Sequence, residues 1–188
     1  MAVIKHQLSN QLPNYPIRIL LLGTFNPEGG ENVIVHYGRK KNQTWPLLSK
    51  IFLEKFNPND ERIHEKMRRF GIACIDMIQS VEVESTKLND VTGNGYKDTE
   101  LFRSNVKRNY IDLNSLVKFL EDNPNVCVFS TWGEGSSFNT EFKNIIKGIP
   151  RLQKLVSPSL AARVPLGTDK LKNMEDDWTK KIKSCYYR

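Results

Sequence analysis

Four short apolar runs constrain this chain more than any other feature: Ile17 to Gly23, Ile72 to Ile78, Val126 to Thr131, and Leu152 to Ser157. Each is about strand length and reads as a strand buried on both faces, the pattern of a parallel sheet. Segments with helical spacing lie between them. Trp45, Leu48, Ile51, Phe52 and Phe56 make one stripe. Leu113, Leu116, Val117 and Leu120 make a second, capped by Asp112 and stopped near Pro124, and Phe138, Phe142, Ile145 and Ile146 make a third, ended by Gly148 and Pro150. The tail from Leu171 to Ile182 reads as a further helix. Parallel strands joined through helices imply right-handed crossovers. The expected fold class is therefore α/β, a three-layer α/β/α sandwich around a central, mainly parallel four-stranded sheet. At 188 residues, one domain spanning 1–188 accommodates this, and a second core would be cramped. The polar stretch Glu82 to Tyr96, with Asn94-Gly95, reads as a long surface loop after the second strand.

The formal net charge is +7, from 28 Lys+Arg against 21 Asp+Glu, which favours a polyanionic partner. Basic residues gather at Arg39-Lys40-Lys41, Lys66 to Arg69, Arg103 to Arg108 and Lys180 to Lys183. No apolar run approaches the roughly 20 residues that cross a bilayer, so no membrane association is expected. The segment Met1 to His6 lacks a basic stretch followed by an apolar one, so a cytoplasmic location is expected. Cys74, Cys127 and Cys185 show no C-x-x-C spacing, and the first two lie in apolar runs, where a buried thiol is expected. His6, His36 and His64 are scattered, so neither a structural zinc nor an iron–sulfur cluster is expected.

In layered α/β folds ligands gather beyond the carboxyl ends of the strands. That draws attention to residues 23–30, 76–82, 131–137 and 157–163. In Gly23-Thr24-Phe25-Asn26-Pro27 the glycine permits close backbone approach, and Asn26 offers an amide to a water or a base edge; an Asx turn before proline is the alternative. The segment His36-Tyr37-Gly38-Arg39-Lys40-Lys41-Asn42-Gln43-Thr44-Trp45-Pro46 interleaves aromatic and basic groups before a helix. Tyr37 suits stacking on a flat base, Arg39, Lys40 and Lys41 suit phosphate, and Asn42 suits hydrogen bonding near the helix entrance. Asp76 closes the second run, where a buried carboxylate needs a partner or a ligand. The third run ends in Trp132-Gly133, and the fourth leads into Ser157-Pro158-Ser159-Leu160, hydroxyls on a stiff backbone suited to a phosphodiester. There is no G-K-[ST] phosphate loop, no G-x-G-x-x-G and no G-x-S-x-G elbow.

Taken in order, these motifs resemble the uracil-DNA glycosylase superfamily, in particular its hypoxanthine-DNA glycosylase-like branch. The pattern of that branch is a Gly-Ser-Phe-Pro-type loop and then Tyr-Tyr-x-x-Pro-Arg-Asn-x-Phe-Trp-Pro. Gly23 to Pro27 matches the loop, with one residue more. His36-Tyr37 through Lys41-Asn42-Gln43-Thr44-Trp45-Pro46 matches the second part at the same spacing, with Arg39, Lys40 and Thr44 as departures. Gly71 to Asp76, Trp132-Gly133 and Ser157 to Leu160 resemble the remaining strand-end motifs, so the resemblance runs from about Ile17 to Arg163. It implies a base-flipping N-glycosylase that removes a deaminated base (uracil, hypoxanthine or xanthine) from DNA without a cofactor or metal, as a monomer. Asn26 or Asn42 would position the hydrolytic water. Tyr37 would stack on the base with Phe25 as a second wall, and Asp76 would read its edge. Arg39, Lys40, Lys41, Ser157, Pro158 and Ser159 would hold the strand, Leu160 would fill the vacated gap, and Arg163 would steady the backbone. A catalytically silent nucleic-acid-binding relative is the alternative.

Overall fold

The computed structural model describes residues 1–93, 98–132, 138–160, 167 and 169–187. In chain order its strands are β1 (Ala2–Lys5), β2 (Ile19–Gly23), β3 (Ile72–Asp76), β4 (Ile78–Val83), β5 (Lys107–Tyr110), β6 (Cys127–Ser130) and β7 (Leu152–Lys154). Its helices are α1 (Thr44–Phe52), α2 (Ile63–Phe70), α3 (Leu88–Val91), α4 (Asp98–Leu101), α5 (Leu113–Asp122), α6 (Thr140–Lys147) and α7 (Lys170–Tyr186). The protein is α/β. Its main sheet is parallel and four-stranded, in the order β3-β2-β6-β7. A second, antiparallel sheet has the order β1-β4-β5.

Strand alternation separates the apolar side chains into two clusters. Ile19 and Leu21 of β2 pack with Trp45 and Leu48 of α1, Ile63 and Met67 of α2, and Met174, Trp178 and Ile182 of α7. Leu20 and Leu22 of the same strand pack with Leu116 and Leu120 of α5, Phe142 of α6, and Ile78, Val81 and Val83 of β4. Trp45 and Trp178 are fully buried, and truncating a side chain of that size costs about 3–5 kcal/mol. Helix ends follow their local chemistry. Asp112 and Asp169 cap α5 and α7 by accepting two backbone N–H groups each. Gly71 ends α2 at φ 62°, and its carbonyl accepts from the N–H groups of Arg18 and Ile19, which fixes where β2 starts.

The register sets the site. Gly23 stands opposite Asp76 in the β2–β3 pair, and Leu22 opposite Ser130 in the β2–β6 pair. Thr131 N–H donates to Leu22 O at 3.0 Å, so three strands deliver their carboxyl ends to one place. Beyond that point the chain passes from the main sheet into the second sheet across Met77, whose N–H donates to Gly23 O at 2.9 Å.

Several expectations change here. The run Ile72 to Ile78 is not one strand but the end-to-end junction of β3 and β4. The fourth run forms a strand only over Leu152–Lys154, and β7 is a partly exposed edge, not one buried on both faces. The stretch expected as a loop from Glu82 begins inside β4 and continues through a 3-10 turn (Ser85–Lys87) and α3, while 94–97 lie outside the described residues. Cys74 is a free buried thiol as expected, but Cys127 is not: it forms a disulfide with Cys185, at a Cα–Cα distance of 6.1 Å. Packing of α7 on the β6 face brings those two cysteines together. No helix among the described residues is long and apolar enough to cross a membrane.

Candidate active site

Asp76, at the end of β3, is 5% exposed. Its backbone is clamped by Asn10: Asp76 N–H donates to Asn10 Oδ1 at 2.8 Å, and Asn10 Nδ2 donates to Asp76 O at 2.6 Å. Its Oδ2 lies 2.7 Å from His6 Nε2, in a contact where the histidine side chain is 1% exposed. The antiparallel pairing of β1 with β4, with Lys5 opposite Ser80, carries His6 to this position, and His6 N–H donates to Gln79 O. His6 Nδ1 sits 2.9 Å from Leu8 O and 3.1 Å from Leu8 N, which orients Nε2 towards Asp76.

Gly23 is required where it stands. A Cβ there would lie 2.0 Å from Asp76 Oδ1 and 2.8 Å from the Tyr37 hydroxyl. The carboxylate and the phenol therefore converge over a bare backbone position. Tyr37 adopts φ 60°, uncommon for a residue with a side chain, and its hydroxyl lies 3.1 Å from Thr131 Oγ1. Burial pushes the Tyr37 pKa well above its ordinary value, and the Asp76 charge adds to the rise.

Beside this pair the loop after β2 folds back. Arg39 Nε donates to Asn26 Oδ1 at 3.1 Å, and Asn26 Nδ2 reaches Gln7 Oε1 at 3.4 Å. His36 is 7% exposed, its ring lies 5.3 Å from that of His6, and its Nε2 has no hydrogen-bond partner. Burial lowers the His36 pKa against the opposing pull of Asp76. For Asp76, burial acts to raise the pKa, but the His6 hydrogen bond and the electrostatic interactions with His36, His6 and Arg39 outweigh it. The carboxyl is held below the ordinary carboxylate value. Asp76 is thus an ionised acceptor at neutral pH.

The other expected residues form a second group. Asn42 Oδ1 accepts from Thr44 N–H at 2.9 Å, a local turn just before α1, whose N-cap position is Gln43. Gln43 N–H donates to Pro158 O at 2.9 Å, and Asn42 pairs with Ser159 in an isolated antiparallel bridge. The Ser-Pro-Ser segment is therefore stitched to the aromatic–basic loop. Pro158 is buried, Ser157 and Ser159 are half-buried, Lys40 and Lys41 are exposed, and Leu160 is 43% exposed. Phe25 is core and meets His6 edge-on at 5.8 Å. Arg163 and Gly133 lie outside the described residues.

The structure thus gathers Asn26, Tyr37, Arg39, Phe25 and Asp76 around His6, and Asn42 with Ser157 to Leu160 beside them. His6 and Asn10 carry no motif, and the short apolar run at the start of Ala2–Lys5 is the sequence signal that points to His6. Much of the basic charge is spent internally. Lys66 and Arg69 pair with Glu54, Lys107 with Glu82, and Arg108 with Glu141. No protein-family model matches the sequence, and no curated protein matches it.

Proposed function

We propose that this chain is a DNA N-glycosylase that flips out a deaminated base (uracil, hypoxanthine or xanthine) and hydrolyses its N-glycosidic bond, on a three-layer sandwich of the uracil-DNA glycosylase type. The observation that carries this reading is the stitching of the Ser157-Pro158-Ser159 segment to the loop at residues 36–46, beside the strand ends bearing Gly23 and Asp76. The segments read as phosphate grip and base pocket are neighbours in space. Asp76, ionised and rigidly held, presents acceptors to a ring N–H or amino group of the base. Tyr37 forms a wall beside it. Asn26 spends one lone pair of its amide oxygen on Arg39 and keeps another for the water that captures the sugar after the base departs as an anion. Exposed Lys40 and Lys41 and the hydroxyls of Ser157 and Ser159 hold phosphates, and the apolar, exposed Leu160 enters the gap in the helix. Such an enzyme acts as a monomer in the cytoplasm.

One observation favours a silent DNA-binding relative instead: both candidate amide oxygens, on Asn26 and Asn42, already accept a protein hydrogen bond. Defined oligonucleotides carrying uracil, hypoxanthine or xanthine, scored by strand scission at the resulting abasic site, separate the two. Release that disappears in Asn26→Ala supports the enzyme, and loss in Asn42→Ala alone moves the water to Asn42. No release alongside salt-sensitive DNA binding leaves the binder, and no binding at all defeats both.

A further inference from the structure

Among the described residues, His6, His36 and Asp76 each offer one metal-ligating atom, and these atoms all lie within 4.8 Å of one another. They come from three separate segments, the end of β1, the loop after β2 and the end of β3. Two features go beyond proximity. His36 Nε2 is buried and has no hydrogen-bond partner, although a neutral imidazole nitrogen at such depth is costly to leave unpaired. His6 also has the support that metal-ligating histidines use, its other ring nitrogen Nδ1 being held by the Leu8 peptide, while Trp45 Nε1 donates to the His36 backbone carbonyl at 3.0 Å and fixes that residue's main chain.

We propose that His6, His36 and Asp76 bind a divalent transition-metal ion of the zinc class. Two imidazole nitrogens and one carboxylate oxygen form an intermediate donor set that prefers such ions to magnesium or calcium. Three protein ligands leave a fourth position open, as in sites that hold a water or a substrate atom. The His6 Nε2 to Asp76 Oδ2 distance is 2.7 Å, whereas two ligands about 2.0–2.2 Å from one ion stand roughly 3 Å apart or more. The ion therefore replaces the shared proton with a small opening of the pair. Asp76 Oδ1, on the Gly23 and Tyr37 side, is left for the pocket. Arg39 opposes a bare cation, and an anionic fourth ligand such as hydroxide or chloride offsets it. This inference does not rest on the glycosylase reading, because the binding is measured without DNA.

The test uses the whole protein, stripped with a chelator and titrated with zinc chloride by calorimetry, with cobalt(II) absorption as a second readout. One ion per chain is expected, with a cobalt spectrum of nitrogen and oxygen coordination. His36→Phe keeps an aromatic ring in the buried position and removes the ligand. It is expected to weaken binding by more than about 100-fold, beyond the roughly 10–100-fold that loss of an outer partner costs. His64→Phe, at an exposed position outside the cluster, is expected to bind as the parent does. Absence of stoichiometric binding by the folded parent overturns the proposal. So does His36→Phe binding as tightly as the parent. Should His36→Phe fail to fold, His6→Gln takes its place under the same criteria.

Discussion

Replacing Gly23 by alanine puts a methyl group 2.0 Å from Asp76 Oδ1 and 3.2 Å from its Cγ. The φ of Gly23 is outside the positive range, so alanine adopts its backbone without strain and the effect is purely one of contact. To reach an ordinary separation the carboxylate must retreat by about 1.5 Å. Asn10 clamps the Asp76 backbone on both sides, so the retreat falls on the side chain. The 2.7 Å contact with His6 then breaks. Breaking one buried pair costs about 3–5 kcal/mol. Alanine recovers about 0.4–1 kcal/mol by restricting the unfolded chain. The net loss is about 2–4 kcal/mol, a fall in Tm of roughly 5–15 °C for a chain of this size. Urea unfolding followed by circular dichroism measures it. The same substitution in an Asp76→Ala background no longer meets the carboxylate, leaving the Tyr37 hydroxyl at 2.8 Å as its nearest contact, and is expected to cost under about 1 kcal/mol. An equal cost in the two backgrounds refutes the reasoning, as does a loss below about 0.5 kcal/mol in the parent.

Two further outcomes are expected. In metal-free protein, stability falls on acidification in two stages. The folded pKa of His36 is depressed, so its contribution is complete above the unfolded value of about 6.5 and is lost as pH falls below it. The folded pKa of Asp76 is also depressed, and its contribution is complete above about 3.9 and is lost below that, as are those of Asp60 and Asp112, while those of Glu54 and Glu82 are lost from about 4.3 downward. Urea midpoints across pH read both stages, and His36→Phe removes the first alone; a profile that is flat between about pH 7 and pH 5 contradicts this. Reducing the Cys127–Cys185 disulfide, which spans 58 residues, costs about 4 kcal/mol in the chain-entropy account. Thiol titration of unfolded, unreduced protein is expected to find one free cysteine, and finding three contradicts the pairing.

The main sheet was legible because parallel strands covered on both faces are apolar throughout, as in Ile19–Gly23 and Cys127–Ser130. The second sheet was not. Its strands read AVIK, IQSVEV and KRNY, and KRNY was indistinguishable from a basic patch. Arg108 of that strand instead turns inward, donating to Leu101 O and pairing with Glu141. Missing that sheet also hid His6, which reaches Asp76 across 70 positions only because β1 pairs with β4. The same blindness applies to the histidines. His6 and His36 have no ligand spacing along the chain, and their proximity is a product of the fold. Asp76 and Asn26 drew attention because strand ends in a parallel sheet are where chemistry gathers, and Tyr37 because aromatic and basic groups interleave before α1. That Asn42 hydrogen-bonds near the entrance to α1 was foreshadowed by its position two residues before Thr44.

The most direct test of the central claim is mass-spectrometric detection of the free base released from oligonucleotides containing uracil, hypoxanthine or xanthine. The parent protein is expected to release at least one of them. Asp76→Asn, which puts an amide donor where a pure acceptor stands, is expected to change the ratio of release rates among the three bases by about tenfold or more, the range of one lost hydrogen bond to a charged group. Failure of the folded parent to release any base contradicts the claim, and an unchanged ratio in Asp76→Asn contradicts the role assigned to Asp76.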